Sequence, residues 1–253
     1  MKPLKKRLGQ HFLTNKSILR RIVQLANISS GDTVVEIGPG KGTLTTELAN
    51  AAGRVIGIEI DRDFIPALRS TVPSNVEITE GDALQIDLPD TPFHVVSNLP
   101  YNVATPLFKR FIEHRNHILA VTVMVQKEVA ERLIAKPRTK TYGPLSVLIQ
   151  YYANVTYGFT VRPGAFTPPP KVDSAVIRLE WKPDVPNGTL FTDFVHEVFS
   201  SRRKTLANNL LGMFGSLGRD EIVHRLEQGR IAVNARPEEL SLDEFLRVYN
   251  LIR

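Results

Sequence analysis

Hydrophobic positions along the chain follow two periods. Residues 17–27 place Ile18, Leu19, Ile22, Val23, Leu25 and Ala26 at helical spacing, with Arg20 and Arg21 on the other side. Residues 33–37 (TVVEI) are a short apolar run of the kind buried strands carry, and a glycine-rich turn and a helix over 43–52 follow at once. The order then repeats: a strand over 54–60, a helix containing Phe64 and Leu68, and short strands over 76–79 and 93–97. A helix over 104–114, a strand over 119–126 and helices over 127–136 and 144–153 come next. Strands over 155–161 and 174–181, separated by a proline-rich loop over 163–170, close this section. Strands alternating with helices predict an α/β fold with a doubly wound, mainly parallel sheet. The last two strands, with no helix between them, are expected to pair antiparallel at one edge.

After Trp181 the texture changes. Residues 182–188 (KPDVPNG) read as a linker, and the runs 190–200, 205–214, 220–228 and 240–249 read as helices without a convincing strand. The expected division is an α/β domain over 1–181, whose residues 1–16 form a basic tail, and a small helical domain over 182–253.

Composition narrows the function. The longest apolar run, 118–125, is broken at Thr122 and falls well short of the roughly 18 residues a membrane helix needs, so no membrane is expected as partner. The start of the chain is basic without an apolar stretch behind it, which argues against a secretory signal and for a cytoplasmic protein. With no cysteine, thiolate metal sites, disulfides and cysteine nucleophiles drop out, and no metal is expected. The net charge of +6 is unevenly spread: residues 1–30 carry seven cations and no acid, 31–100 carry four against eleven, and 101–180 carry eleven against five. A basic chain containing an acidic section calls for a polyanionic partner, with nucleic acid ahead of a membrane surface.

The acidic section holds a nucleotide site. Glu36-Ile37-Gly38-Pro39-Gly40-Lys41-Gly42 joins the first strand of the alternation to its helix, and glycines there let the backbone turn tightly and approach a ligand. Glu59, ending the next strand 21 residues beyond Gly38, can accept hydrogen bonds from both ribose hydroxyls of an adenosine. Asp82, in Gly81-Asp82-Ala83, lies at the same sheet edge and can take the exocyclic amine of the cofactor's adenine. The spacing lacks the Gly-x-x-Gly of a pyrophosphate site, and Glu36 precedes the loop instead. A cationic, phosphate-free nucleoside suits this edge, and S-adenosylmethionine is such a molecule.

The strand over 93–97 runs into Asn98-Leu99-Pro100-Tyr101, which faces the reactive end of that cofactor. The sequence suits methylation of an exocyclic amine. Such an amine is a poor nucleophile, because its lone pair is delocalised into the ring. The Asn98 side-chain oxygen and the Leu99 carbonyl, stiffened by Pro100, can take its two hydrogens, and Tyr101 can stack on the base. Positioning then supplies most of the rate.

Asn98-Leu99-Pro100-Tyr101 resembles motif IV of N6-adenine methyltransferases, in the form carried by ribosomal RNA adenine dimethyltransferases. Residues 6–13 (KRLGQHFL) are similar to the N-terminal signature of that family. The segments 36–42, 57–61 and 81–83 are similar to its cofactor motifs, 166–174 (FTPPPKVDS) to its late loop, and 202–206 (RRKTL) to its C-terminal basic segment. The bacterial small-subunit branch (the KsgA/RsmA family) is the one resembled. The resemblance implies a Rossmann-like class I S-adenosylmethionine-dependent methyltransferase sheet with a small C-terminal all-helical domain. It implies an enzyme that dimethylates the N6 amines of two adjacent adenosines near the 3′ end of small-subunit rRNA, within an immature 30S particle. It also implies that His11, Leu13, Gly38, Gly40, Glu59, Asp82 and Asn98 contact S-adenosylmethionine. Asn98, Leu99, Pro100 and Tyr101 would hold the target amine, and Phe166 would stack on the flipped adenine from the opposite side. Relatives often have Asn where this chain has His11, which puts the pH dependence of that contact in doubt.

Lys5, Lys6 and Arg7 in the tail, and Arg202, Arg203 and Lys204 in the helical part, are expected to grip phosphates. Lys136, Arg138 and Lys140 read more simply as a solvated loop. A monomer is expected. The alternatives are a related resistance methyltransferase acting on large-subunit RNA, and a non-catalytic RNA-binding or assembly factor that keeps the fold. A small-molecule methyltransferase fits least, since the basic tails would then have no purpose.

Overall fold

A computed structural model describes residues 11–183, 185, 190–201 and 204–253. In chain order its strands are β1 (Phe12–Leu13), β2 (Thr33–Ile37), β3 (Arg54–Glu59), β4 (Val76–Glu80), β5 (Phe93–Asn98), β6 (Ile118–Gln126), β7 (Ala153–Val161), β8 (Phe166–Thr167) and β9 (Ser174–Trp181). The helices are α1 (Lys16–Ala26), α2 (Thr43–Ala49), α3 (Ile65–Thr71), α4 (Ala104–Glu113), α5 (Lys127–Leu133), α6 (Pro144–Tyr152), α7 (Leu190–Val198), α8 (Leu206–Met213), α9 (Arg219–Gln228) and α10 (Leu242–Ile252). None of the described helices is long and apolar enough to cross a membrane. Two compact units emerge: residues up to Ala130 together with Asn154–Trp181, and Glu131–Ala153 together with the chain from Lys182 onward.

The first unit is built on a seven-stranded sheet in the order β4-β3-β2-β5-β6-β9-β7. β2 pairs in parallel with β3 on one side and β5 on the other, so the strand order reverses between β2 and β5. In such sheets ligands bind beyond the carboxyl ends of the strands at that reversal. Val34, Val35, Val55, Val95 and Val96 are fully buried, because strands covered on both faces carry apolar residues without alternation. β9 runs antiparallel to β6 and lies between β6 and β7. As the sequence expects, the two last strands are neighbours at one edge of the sheet. β7 is the outermost, and its side chains alternate between exposed and half-buried. β9, buried at five of its eight positions, takes the covered place beside β6.

A second, two-stranded pairing was not visible in the sequence pattern. β1 pairs antiparallel with β8, setting Phe12 opposite Thr167 and Leu13 opposite Phe166. Beneath it Leu13 and Phe166 join Leu19, Ile22, Leu44 and Met124 in one apolar cluster. α1 enters through Asn15, whose side chain accepts from the Ile18 N–H, and ends at Asn27 in the left-handed region (φ 49°).

The second unit is helical. The sequence assigns α6 to the first domain, and the structure places residues 131–153 with the C-terminal helices. The reason is that α6 is apolar nearly all round and finds its cover there. The Tyr151 ring lies 4.3 Å from that of Phe191 on α7, which in turn meets Tyr249 of α10 at 5.3 Å. The Tyr142 hydroxyl donates to the Leu240 carbonyl at 2.9 Å. α10 begins in a capping box, with Ser241 and Glu244 each accepting from the other's backbone N–H.

Candidate active site

The carboxyl ends of β2, β3, β4 and β5 open onto one cavity of about 180 Å³. Its lining includes His11, Leu13, Gly38, Gly40, Glu59, Asp82, Asn98, Leu99, Pro100 and Tyr101, so ten residues singled out in the sequence come together here.

The loop after β2 turns with Gly38 at φ 69° and Gly40 at φ 58°, in the region that favours glycine. At Gly40 space forbids a side chain as well: a Cβ would lie 2.9 Å from the Phe12 ring. Phe12 is packed over this loop, edge-on to Phe64 at 5.5 Å and 4.6 Å from the Lys41 ammonium.

Glu59, 5% exposed, is held before any ligand arrives. One carboxylate oxygen accepts from the Gly40 N–H at 2.9 Å and the other from the Asp61 N–H at 2.8 Å. Burial raises its pKa, and these two N–H groups oppose the rise. Each oxygen keeps a second lone pair for a hydroxyl. Asp82 accepts from the Leu84 N–H at 2.9 Å and from the Gln85 side-chain amide at 3.3 Å.

Glu36, counted by the sequence with the acidic edge, lines the same cavity. Its carboxyl is 2% exposed, takes a 2.6 Å hydrogen bond from the Thr45 hydroxyl, and has its pKa pushed up to about 8 by burial.

The acceptor side is built on β5. The Ser97 hydroxyl donates to the Ile37 carbonyl at 2.6 Å, tying β5 to β2 where both end. The Leu99 N–H donates to the Met124 carbonyl at 3.0 Å, and the Pro100 carbonyl accepts from Val103 at 3.2 Å, so the turn is fixed at both ends. The Asn98 amide nitrogen donates to the His11 carbonyl at 3.2 Å. That bond turns Oδ1 the other way, and Oδ1 is buried with no hydrogen-bond partner among the described residues. Tyr101 is held by a 2.6 Å contact between its hydroxyl and that of Ser174, and its ring lies 5.8 Å from the His11 ring at an interplanar angle of 30°. His11 is anchored in turn through Nδ1 at 2.9 Å from the Pro168 carbonyl.

Phe166 departs from its expected place. The ring is 3% exposed in the apolar cluster beneath β1 and β8 and does not line the cavity. Its register opposite Leu13 turns the side chain toward the core, where an aromatic ring buries most area. Lys5, Lys6, Arg7, Arg202 and Arg203 lie outside the described residues, as does most of 184–189. Lys204 is exposed just before Thr205, the N-cap of α8. The sequence reading missed Phe12, Thr43 and Pro168 as parts of the site, and gave Ser174 no role. The Thr43 hydroxyl donates to the Leu13 carbonyl at 3.0 Å. Phe12, Pro168 and Ser174 stand inside the quoted motifs, so a signal existed, but only the β1–β8 pairing shows what they hold.

The strand reversal, the antiparallel β9 beside β6 and a glycine loop facing two strand-end carboxylates define a Rossmann-like class I methyltransferase domain. A family model described as ribosomal RNA adenine dimethylase matches residues 1–253. The chain belongs to that family. A ribosomal RNA small subunit methyltransferase A from Levilactobacillus brevis is 42% identical, over 97% of this chain and 89% of its own length. Among solved structures, a dimethyladenosine transferase from Plasmodium falciparum superposes with a TM-score of 0.83 at 30% identity, covering 94% of this chain and 96% of that one. The 23S rRNA methyltransferase ErmE superposes with a TM-score of 0.73 at 27% identity, covering 95% and 99%.

Proposed function

We propose that the protein transfers methyl groups from S-adenosylmethionine to the N6 amines of two adjacent adenosines near the 3′ end of small-subunit rRNA, giving N6,N6-dimethyladenosine. The observation that carries this reading is the buried Asn98 Oδ1, without a partner among the described residues, in the wall of a cavity suited to an adenosine. A buried acceptor without a donor costs free energy until an N–H enters, and an exocyclic amine is such a donor.

The residues fit the cofactor. Glu59 presents free lone pairs to ribose hydroxyls, Asp82 lies at the adenine end, and the Gly38–Gly40 turn leaves room where a side chain would intrude. When bound, the cofactor supplies an electrophilic methyl group on a sulfonium. Asn98 Oδ1 and the Leu99 carbonyl accept the two amine hydrogens, which holds the nitrogen in line and draws its lone pair out of the ring. Tyr101, fixed by Ser174, offers a ring face to the base. The alkylated nitrogen is acidic and gives its proton to solvent, so no strong base is required. His11 and Leu13 close the cavity on the tail side. The basic residues of the tail and of 202–204 supply phosphate contacts.

The small subunit is favoured over the large because identity is higher to the small-subunit relative than to ErmE. We assign the substrate to an immature 30S particle in the cytoplasm, bound by a monomer. Labelling tests this: immature small subunits and naked large-subunit RNA are offered separately, then digested and weighed as nucleosides. Dimethyladenosine from the small subunit alone is expected. Product from large-subunit RNA would overturn the substrate, and cofactor binding without product from either would put a binding factor first.

A further inference from the structure

The segment after β4 carries Asp82, and its turn is bonded to itself. The Asp82 carbonyl accepts from the backbone N–H groups of Gln85 at 2.8 Å and Ile86 at 2.9 Å, while its carboxylate accepts from Leu84. Ile86 packs so tightly beneath Gly81 that a Cβ there would lie 2.8 Å from its Cδ1. What ties this turn to the rest of the unit is Arg110 on α4. One terminal guanidinium nitrogen donates to the Leu84 carbonyl and the other to the Ile86 carbonyl. Two donors on one rigid plane fix both the position and the orientation of the turn, which a point charge cannot do. The remaining nitrogen, Nε, is buried without a partner among the described residues, a cost the two terminal contacts must offset. α4 begins at Ala104, directly after the acceptor turn. One helix therefore starts from the residues facing the target amine and grips the loop facing the cofactor's base.

We propose that Arg110 is the positioning residue for Asp82. By holding the Leu84 and Ile86 carbonyls it aims the Asp82 carboxylate into the cavity, and through it sets the affinity and base selectivity for the adenine end of the cofactor. This rests on the reading of Asp82 as the acceptor of the adenine amine.

The test is calorimetric titration of the full chain with S-adenosylhomocysteine and with its inosine counterpart, in which an oxygen replaces the amine. Four variants are compared: Arg110→Met, Arg110→Lys, Asp82→Ala and Asp82→Ala with Arg110→Met. Arg110→Met is expected to weaken the adenosine ligand about tenfold, the scale of a hydrogen bond to a charged group. The preference over inosine should collapse, while kcat at saturating cofactor stays within about twofold of wild type. Adding Arg110→Met to Asp82→Ala should cost nothing further, because both act through one carboxylate. Arg110→Lys, with one point of donation, should recover only part of the loss, and it carries the test if Arg110→Met does not fold. Equal weakening for both ligands, or additive losses, would mark Arg110 as merely structural and overturn the proposal while Asp82 keeps its role. If Asp82→Ala itself leaves affinity and base preference unchanged, the reading of Asp82 falls and the proposal with it.

Discussion

The two sides of the cavity obey opposite rules. On the cofactor side Glu59 has both oxygens accepting from backbone N–H groups, and Asp82 is likewise engaged. On the acceptor side Asn98 has one end of its amide satisfied and the other buried and open. A satisfied carboxylate is a stable platform that binds through spare lone pairs. An unsatisfied amide oxygen costs about 1–3 kcal/mol until a donor arrives, so it selects for ligands that bring an N–H. Affinity is thus preassembled on one side, and selectivity is left as a debt on the other.

The sharpest way to break this contrast is Asn98→Ala. Single-turnover transfer to RNA should fall by about 10²–10³-fold, the usual loss when one preorganised polar group is removed from a reacting centre. Cofactor affinity should fall by less than about tenfold. Equal losses in both would move Asn98 to the platform.

Glu36→Gln tests whether the platform carries the charge of Glu59 and Asp82 without that of Glu36. Below pH 4.5, its ordinary value, Glu36 is protonated in the folded and unfolded chain alike. Between there and about 8 the unfolded chain ionises while the folded one keeps its proton. Stability should therefore fall as pH rises through this window, by up to about 1.4 kcal/mol per unit, and level off above it. The Gln variant should lose that slope in thermal or denaturant unfolding, and cofactor binding at pH 7 should hardly change.

Glu59→Gln turns an N–H₂ toward either Gly40 or Asp61, and the cofactor Kd should rise by about 10–100-fold in calorimetry. Phe166→Leu should cost about 1–1.5 kcal/mol of stability and leave the transfer rate near wild type. A rate loss well beyond the stability loss would return the ring to the target base. Tyr101→Phe, which removes only the bond to Ser174, should slow transfer by about two- to fivefold.

Most of the α/β order was legible because each strand and helix declares itself within a few residues. TVVEI at 33–37, the glycine loop and the strand-end acids Glu59 and Asp82 are local signals that tertiary packing then confirmed. The neighbouring of the two last strands at one edge was legible too, because no helix separates them. Which of the two takes the inner place beside β6 is carried by no local period. α6 reads as a helix from sequence, but its partners Phe191 and Tyr249 stand far along the chain. The pairing of β1 with β8, two residues each, is too short to show a period, so the site's strap and the burial of Phe166 stayed hidden with it. Glu36 was legible as an acid but its raised pKa was not, because burial is a property of the fold.

The strap also puts a clock on the protein's synthesis. His11 meets the Pro168 carbonyl across 157 residues of chain, and Thr14 meets Ala165 across 151. At about 5–20 residues per second of translation, the second partner follows the first by about eight to thirty seconds. Towards the end of that interval Glu59, Asp82 and Asn98 can already stand at the ends of paired strands, yet the wall that orients Asn98 has nothing to fasten to. A nascent chain stopped before residue 165 should then fold much of its sheet and still fail to retain the cofactor, so that competence arrives late and nearly at once.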